Sequence, residues 1–355
     1  MRRVNPNDDN GSAGITEEPL DISDSRRDAV HQRNDDLIQT IKQYADKLAA
    51  DEATRGDLKI LARTLRELRY AFKVFTPYRN RRKVTMFGSA RIPPDAPTYQ
   101  QAVELGRTMA AHHWMVVTGA AHGIMEAGHV GAGRKHSMGI NILLPFEQGS
   151  NAVIADDPKL IHMKYFFTRK LMFVKECDAV VCLPGGFGTM DEALEVLTLL
   201  QTGKRDMVPL VLLDAPGGDY WTSLHDLIVR NLLGHGLISE EDLSLYRVTG
   251  SVEETVAELL GFFRVYHSMR YVKQDLVLRL LRPLSGPCLE RINREFAEIL
   301  DGGSFVQRDA LPEERDEPQW AELPRLVCTF NRFSFGRLRQ LINFINSDPT
   351  GGDAG

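Results

Sequence analysis

Three glycines and two carboxylates stand close together at residues 184–192, which read PGGFGTMDE. An apolar run, DAVVCL, precedes this stretch and an apolar-periodic run follows it, so a strand turns into a helix here. Glycine costs about 0.5–1 kcal/mol of conformational entropy where its freedom is unused, so the cluster indicates a tight turn or a ligand against the main chain. Free amides at a helix start bind anions. The spacing fits neither a Walker A loop nor GxGxxG, so we predict a monophosphate ligand.

Glu192 has two interpretations. Thr189 and Glu192 have the Thr-x-x-Glu spacing of a capping box, in which the two residues satisfy each other's helix-end donors. Alternatively, Glu192 is a carboxylate presented to a ligand at the start of a helix. The spacing alone leaves both interpretations open.

Arg169 and Lys170 lie in the middle of a helix predicted over residues 160–176. This helix, LIHMKYFFTRKLMFVKE, is apolar on nearly every side and is predicted to be largely buried. The two cations either bury their stems and extend their charged heads to water, or find a buried partner. In the second case the Arg169 guanidinium points over a sheet edge at a phosphate or carboxylate.

Strands and helices alternate from residue 83 onward, and the strands are near-continuous apolar runs. This pattern predicts an α/β fold: a Rossmann-like, doubly wound parallel sheet covered on both faces. Ligands bind such sheets outside the carboxyl ends of the strands. Three glycine-containing turns are predicted at that edge, GSA at 88–90, TGAAHG at 118–123 and PGGFGT at 184–189. Ser89 and Thr118 either donate hydroxyl groups to a ligand there or cap the next helix.

The composition along the chain predicts five segments. Residues 1–25 are a polar tail, and we expect them to be disordered. Residues 26–80 form an N-terminal helical segment of two amphipathic helices, which pack on the main domain or on another subunit. Residues 81–265 form the domain with the Rossmann-like sheet, and residues 266–347 an appended small α+β module. Residues 348–355 are a second disordered tail.

Bulk composition excludes several classes of protein. A net charge of −5 and a pI near 6.1 argue against a general nucleic-acid binder. No apolar run approaches the ~18–20 residues that cross a bilayer, and the N-terminus lacks a secretory signal. The four cysteines have no CxxC spacing, so we expect reduced thiols in a cytoplasmic protein and no metal site.

The stretch FFTRKLMFVKECDAVVCLPGGFGTMDEALEVL resembles the Lonely Guy (LOG) family, whose members are often mislabelled lysine decarboxylases. The family signature is an Arg-Lys pair followed by PGGxGTxxE, and GSA and GINILLPFEQ also match. The resemblance covers roughly residues 83–260. It implies a phosphoribohydrolase that cleaves the N-glycosidic bond of a nucleoside 5′-monophosphate, AMP-like or a cytokinin precursor, giving free base and ribose 5-phosphate. No cofactor is implied. Family members are generally dimers, which implies a homodimer or a higher homo-oligomer.

The resemblance also implies roles for single residues. Arg169 and Glu192 correspond to the catalytic pair, and the glycine turns to the ribose-phosphate cradle. Glu147, in LPFEQ, is a further candidate near the pocket. This chain has TGAAHG where many relatives have a triple-glycine turn. The predicted substrate contacts are Gly88, Ser89, Thr118, Gly119, Lys170, Gly185, Gly186, Gly188 and Thr189.

Two other functions stay open from the sequence. One is a non-catalytic nucleotide- or cofactor-binding carrier on the same fold, because fold does not fix function. The presence of both Arg169 and Glu192 argues against it, since a carrier needs the cradle but not the catalytic pair. The other is a regulated enzyme or interaction protein whose flanking segments sense another ligand.

Overall fold

The computed structural model describes residues 24–142 and 149–348, with side chains from residue 34 onward. These residues belong to two compact units, one ending at Arg63 and the other beginning at Thr64. Nearly all of the two tails that were predicted to be disordered lies outside the described residues, as does Glu147.

Two long helices occupy the N-terminal segment. Helix α1 spans Asp24–Ala50, and α2 spans Arg55–Phe75 and continues from the first unit into the second. Helix α2 begins where it does because Thr54 and Asp57 form a capping box: the Asp57 amide donates to Thr54 Oγ1 (3.2 Å) and the Thr54 amide to Asp57 Oδ2 (3.1 Å). Many apolar side chains of these helices are exposed in the single chain, among them Leu37, Ile41, Tyr44, Leu58, Leu61 and Leu65.

Seven parallel strands form the main sheet, in the order β4-β3-β2-β1-β5-β6-β7, and confirm the predicted α/β fold. Every neighbouring pair is parallel. The chain starts in the middle of the sheet, builds one half outward and then returns to build the other. The strands are β1 Lys83–Phe87, β2 Met115–Thr118, β3 Ser137–Ile142, β4 Leu160–Met163, β5 Ala179–Cys182, β6 Leu210–Leu213 and β7 Arg247–Thr249.

Helices connect most of these strands, as the alternating pattern predicted. The strand order reverses between β1 and β5, so the crevice outside their carboxyl ends is the topological switch point at which such sheets bind ligands. The connecting helices are α3 Pro97–Ala111, α4 Ile124–His136, α5 Phe166–Glu176, α6 Phe187–Gln201 and α7 Tyr220–Leu227, and α8 Val252–Phe262 follows β7.

The helix predicted over residues 160–176 is wrong in its first part. Leu160–Met163 forms the edge strand β4, paired in parallel with β3, and the helix begins only at Phe166. A four-residue apolar run has no periodicity that separates a strand from a buried helical turn. The expected burial of this helix is wrong too, because Phe166, Phe167 and Leu171 are 52%, 53% and 46% exposed in the single chain.

A second, antiparallel sheet follows, in the order β10-β11-β9-β8, and shares its interior with the first. One buried apolar cluster includes Val84 and Val180 of the first sheet, Leu278 of the second and Leu341 beyond it. The Phe335 ring fills the space over Gly203, where a Cβ would lie 1.9 Å from it. The elements are β8 Tyr266–Val272, β9 Asp275–Leu280, α9 Gly286–Glu295, β10 Val306–Arg308, β11 Arg325–Cys328 and α10 Phe335–Ser347.

Within the described ranges, no helix combines the length and the apolar character needed to cross a membrane.

Candidate active site

A cavity of about 940 Å³ opens at the carboxyl edge of the main sheet, at the switch point between β1 and β5. Residues 87–92, which follow β1, form one part of its wall, and residues 184–192, which follow β5, form another. Arg169 of α5 also lines it. The cavity therefore brings together the catalytic pair that the family resemblance implied, Arg169 and Glu192.

The glycines of the PGGFGT turn have distinct roles. Gly186 is the N-cap of α6, so the amides of Phe187 and Gly188 come before the first bonds within the helix. A Cβ built on Gly186 or Gly188 would meet nothing within 4 Å, so both positions leave open space for a ligand. At Gly185 a Cβ would lie 2.1 Å from Thr189 Oγ1, so only glycine fits there.

Neighbouring loops hold this turn in place. The Tyr220 hydroxyl donates to the Gly185 carbonyl (2.6 Å), and the Ser89 amide donates to the Pro184 carbonyl (3.1 Å). The Ser89 carbonyl in turn accepts from the Ile124 amide (3.0 Å) at the start of α4. The turn is therefore held by two hydrogen bonds, and the loop that supplies one of them is itself bonded to the start of α4.

The capping-box interpretation of Glu192 is wrong. Helix α6 starts at Phe187, so Thr189 lies inside its first turn, and no side chain caps the helix. Glu192 instead lies in the second turn, 7% exposed, with its Oε2 3.4 Å from the Lys170 amine. Burial raises the pKa of the Glu192 carboxyl, although the positive charges of Lys170 and Arg169 oppose the rise.

Lys170 joins α5 to α6 through three carboxylates. Its amine lies 2.6 Å from Glu195 Oε2 and 2.8 Å from Asp191 Oδ2, in addition to its contact with Glu192. Burial acts to lower the pKa of Lys170, but the carboxylates outweigh it and the pKa is raised. Of the two interpretations of this residue, the structure therefore favours a partnered cation over a charged head extended to water.

Arg169 is held by contacts with β3 and with the turn after β2. Its Nε donates to the Ile140 carbonyl of β3 (2.8 Å), and its guanidinium carbon lies 5.2 Å from the centre of the Phe173 ring. A Cβ built on Gly119 would be 2.2 Å from Arg169 Nη2, so the guanidinium packs directly against the turn after β2. The start of α5 is held as well, because Glu67 of α2 accepts from the Thr168 hydroxyl (2.9 Å).

Three predicted substrate contacts do not line the cavity. The Lys170 amine contacts its three carboxylates instead, Gly119 packs against the Arg169 guanidinium, and Thr118 is fully buried. The Thr118 hydroxyl accepts from the Ala120 amide (3.0 Å) and lies 3.1 Å from His129 Nε2. Direct substrate contact by these three residues stays a prediction. The other predicted contacts all line the cavity: Gly88, Ser89, Gly185, Gly186, Gly188 and Thr189.

The TGAAHG turn is held by hydrogen bonds that involve the buried side chain of His129. The His129 ring lies 3.2 Å from Asn151 Nδ2, which also donates to the Ala121 carbonyl (3.1 Å). Burial lowers the pKa of His129 to about 4, against the opposing effect of its hydrogen bonds. Ala120 has φ 61°, a conformation that favours glycine, in the same turn where many relatives have three glycines.

Sequence reasoning missed part of the cavity wall. Tyr220 lies at the start of α7, after β6, and β6 is the sheet neighbour of β5. Tyr220 follows a predicted strand of the parallel sheet, and the carboxyl ends of parallel strands share one edge. Its position in the sequence could therefore have identified it as a candidate for the cavity wall. Arg91, Met125, Phe166 and Phe187 are also lining residues that the motif did not mark.

Among residues 24–142 and 149–348, no three His, Cys, Asp or Glu side chains are grouped to hold a metal ion.

Comparison with known proteins identifies the family of this chain. The sequence model of a family described as "Possible lysine decarboxylase" matches residues 118–259. Cytokinin riboside 5′-monophosphate phosphoribohydrolase LOG3 of Arabidopsis thaliana is 32% identical over 175 residues, which cover 46% of this chain and 74% of LOG3. The chain belongs to the LOG family. Its LOG membership, inferred above from the Arg-Lys pair and PGGxGTxxE, is thereby confirmed.

More distant LOG relatives and solved structures also match. The cytokinin riboside 5′-monophosphate phosphoribohydrolase of Mycobacterium marinum is 29% identical over 122 residues, covering 33% of this chain and 65% of the relative. Among solved structures, the molybdenum cofactor carrier protein of Chlamydomonas reinhardtii is 21% identical with a TM-score of 0.34, covering 50% of this chain and 94% of the carrier.

Proposed function

We propose that this protein is a phosphoribohydrolase that cleaves the N-glycosidic bond of an AMP-like nucleoside 5′-monophosphate to free base and ribose 5-phosphate. The observation that carries the proposal is that a buried carboxylate, Glu192, and a fixed guanidinium, Arg169, line one cavity together with a glycine turn. The names of the relatives, cytokinin riboside 5′-monophosphate phosphoribohydrolases, support this substrate class.

The start of α6 is the proposed phosphate site. Its first amides point out of the helix at the positive end of the helix dipole, where anions are stabilised. The open space over Gly186 and Gly188 lets phosphate oxygens approach these amides closely. With the phosphate there, the ribose extends toward Glu192 and the base toward the rest of the cavity.

Glu192 is the proposed general base. As the C1′–N bond breaks, positive oxocarbenium character develops on the ribose, which a nearby carboxylate stabilises. The oxygen of a water molecule then bonds to C1′, its proton passes to Glu192, and the departing base takes up a proton. A raised carboxyl pKa suits this role, because proton transfer is most efficient when the pKa lies near the working pH. Arg169 holds the phosphate or the ribose in register with this carboxylate.

We also propose a homodimer that covers the apolar surface beside the cavity. Phe166, Phe167 and Leu171 of α5 are each about half exposed, and Phe187 at the start of α6 is 96% exposed. A second copy packed on this surface would remove it from water and close the cavity. Sedimentation of the wild type and of a Phe167→Glu, Leu171→Glu variant tests this assembly, since the variant is expected to be monomeric.

The cysteines support a proposal for the compartment in which the protein works. Cys177, Cys182, Cys288 and Cys328 are all free and buried, as in proteins that are kept reduced. We propose a cytoplasmic location, which fractionation of the source cells tests.

Base release from AMP, GMP, CMP, UMP and an N6-substituted AMP tests the reaction. Glu192→Gln is expected to lower turnover about 10²–10⁴-fold, since this is what general acid–base catalysis contributes. Glu195→Gln is the matched control, because Glu195 pairs with the same lysine and does not line the cavity. Equal losses in the two variants, or full activity in Glu192→Gln, would contradict the assignment. Nucleotide binding without base release from any substrate would favour the carrier.

A further inference from the structure

A second cavity, of about 210 Å³, lies at the opposite edge of the main sheet from the candidate active site. Lys83 at the start of β1, Asp178 just before β5 and Val208 before β6 all line it, so it adjoins the amino ends of these strands. The last residues of α5 and the first of β8 complete the wall. Its volume equals that of about seven water molecules in the liquid, enough for a phosphate group with a small substituent.

Basic side chains outnumber acidic ones around this second cavity. The acidic lining residues are Glu176, Asp178 and Asp206. The basic lining residues are Arg79, Arg82, Lys83, Lys175 and Arg205. The lining therefore carries an excess of two positive charges when all eight groups are ionised.

The inner cations are held in place without full charge compensation. Lys83 is 3% exposed and its amine donates to the Arg81 carbonyl (2.9 Å), which brings no negative charge. The Arg82 guanidinium lies over the Phe263 ring, 3.6 Å from its centre, and 3.5 Å from Asp178 Oδ1. Arg205 donates to the Cys177 carbonyl. Buried cations are costly unless counter-charges accompany them. Asp178 acts on all three of these cations, Glu176 also acts on Lys83 and Asp206 on Arg205, but these three acidic residues face five basic ones in the lining.

The pKa values of the lining cations do not all shift in one direction: those of Arg82 and Lys83 are lowered, whereas that of Arg205 is raised because Cys177, Asp206 and Asp178 outweigh the effect of burial. Burial lowers the pKa of both Arg82 and Lys83, and the opposing effect of Asp178 does not restore it. Burial, together with the charges of Arg82, Arg279 and Arg325, lowers the pKa of His267 to about 4, against an opposing effect of Glu317. His267 is therefore neutral near pH 7 and adds no charge to the lining.

We propose that this second cavity is a binding site for a small phosphate-bearing anion, separate from the active site. A phosphate monoester carries about −1.5 to −2 charges at neutral pH, which matches the excess positive charge of the lining. Its oxygens accept hydrogen bonds from guanidinium forks and from a lysine amine, the donor types that this wall presents. Inorganic phosphate and a sugar phosphate share this chemistry. The site is independent of the proposed reaction, because none of its lining residues lines the first cavity.

Calorimetric titration of the full chain with inorganic phosphate, and separately with ribose 5-phosphate, tests the site. An Arg169→Gln background weakens binding at the active site, because Arg169 is the proposed side-chain contact of the phosphate or the ribose there, so that the second cavity is expected to account for most of the binding that remains. Adding Arg82→Gln and Lys175→Gln, both partly solvent-exposed, is expected to weaken the remaining binding at least tenfold. The matched control adds Arg107→Gln and Lys135→Gln, exposed cations outside the cavity, and is expected to bind normally.

Several results would overturn the proposal. The first is equal phosphate affinity in the cavity variant and in its control. The second is no phosphate binding in the folded Arg169→Gln background. The third is a sulfate affinity equal to that of inorganic phosphate and ribose 5-phosphate, which would indicate an adventitious ion only. Circular dichroism checks that each variant is folded. Tighter binding of ribose 5-phosphate than of phosphate would identify the ligand as a sugar phosphate, and equal binding would identify it as free phosphate.

Discussion

A methyl group on Gly119 would stand 2.2 Å from Nη2 of Arg169, so the backbone after β2 and the guanidinium occupy adjoining space with no room for a side chain between them. The turn after β2 thus contacts the candidate active site through Arg169, even though Gly119 itself does not line the cavity. We therefore expect Gly119 to position Arg169, the arginine proposed to be catalytic.

Gly119→Ala is expected to displace the Arg169 guanidinium while the fold stays intact, because the clashing atom ends a flexible side chain. A misplacement of about 1 Å at a catalytic group costs on the order of 10²-fold in rate, so kcat should fall by about that factor. Steady-state base release measures it. Gly261→Ala is the control, since a Cβ there meets nothing within 4 Å. Full activity in Gly119→Ala would show that Arg169 needs no support from this turn.

Lys170→Met is expected to move the acid limb of the pH–rate profile to higher pH. Lys170 opposes the burial that raises the pKa of Glu192, so its loss raises that pKa further and the carboxylate forms only at higher pH. The kcat profile between pH 4 and pH 9 measures the shift. Lys135→Met, an exposed cation of α4, should leave the limb in place. An unmoved limb in Lys170→Met would mean that another group titrates there.

Tyr220→Phe is expected to weaken substrate binding more than turnover. It removes the hydrogen bond to Gly185, which contributes about 1 kcal/mol, so KM should rise about five-fold while kcat changes little. Tyr246→Phe is the matched control, because its hydroxyl lies 2.8 Å from His225 Nδ1 and the residue does not line the cavity. If both variants have the same KM, the bond to Gly185 does not position the turn.

His129→Gln is expected to flatten the acid branch of the stability–pH curve. The folded-state pKa of about 4 lies below the ordinary value of 6.5, so the unfolded chain binds the proton first as the pH falls. The contribution of neutral His129 to the free energy of unfolding is fully present above pH 6.5, and about 3 kcal/mol of it is lost by pH 4. Urea unfolding of both proteins at pH 7 and pH 4.5 measures the difference. Parallel curves would contradict the assignment.

The fold was largely predictable because its local signals agree with one another. Apolar strands, helices of ordinary length and turn glycines each predicted the same doubly wound sheet, and the positions of Arg169 and Glu192 followed from the motif. Strand β4 was missed because four apolar residues have too short a pattern to reveal a period.

The contacts of the site were less predictable because they are tertiary. The capping-box prediction was wrong because Gly186 is the N-cap of α6, so that Thr189 lies inside the helix. The carboxylates around Lys170 come from a different helix, 21 to 25 positions further along the chain, and only the packing of α5 on α6 brings them within reach. Sequence spacing contains no information on such a contact.

The two sheets share one continuous hydrophobic core, and this affects what substitutions far from the cavity do to activity. Since Leu278, Phe335 and Leu341 complete the same buried cluster as Val84 and Val180, residues on either side of position 265 share one folding equilibrium. A substitution in β9 therefore reduces the number of molecules with a formed cavity, while each molecule that does fold works at its full rate. Loss-of-function variants of the second sheet should accordingly be temperature-sensitive in cells and rescued by any ligand that binds the native state.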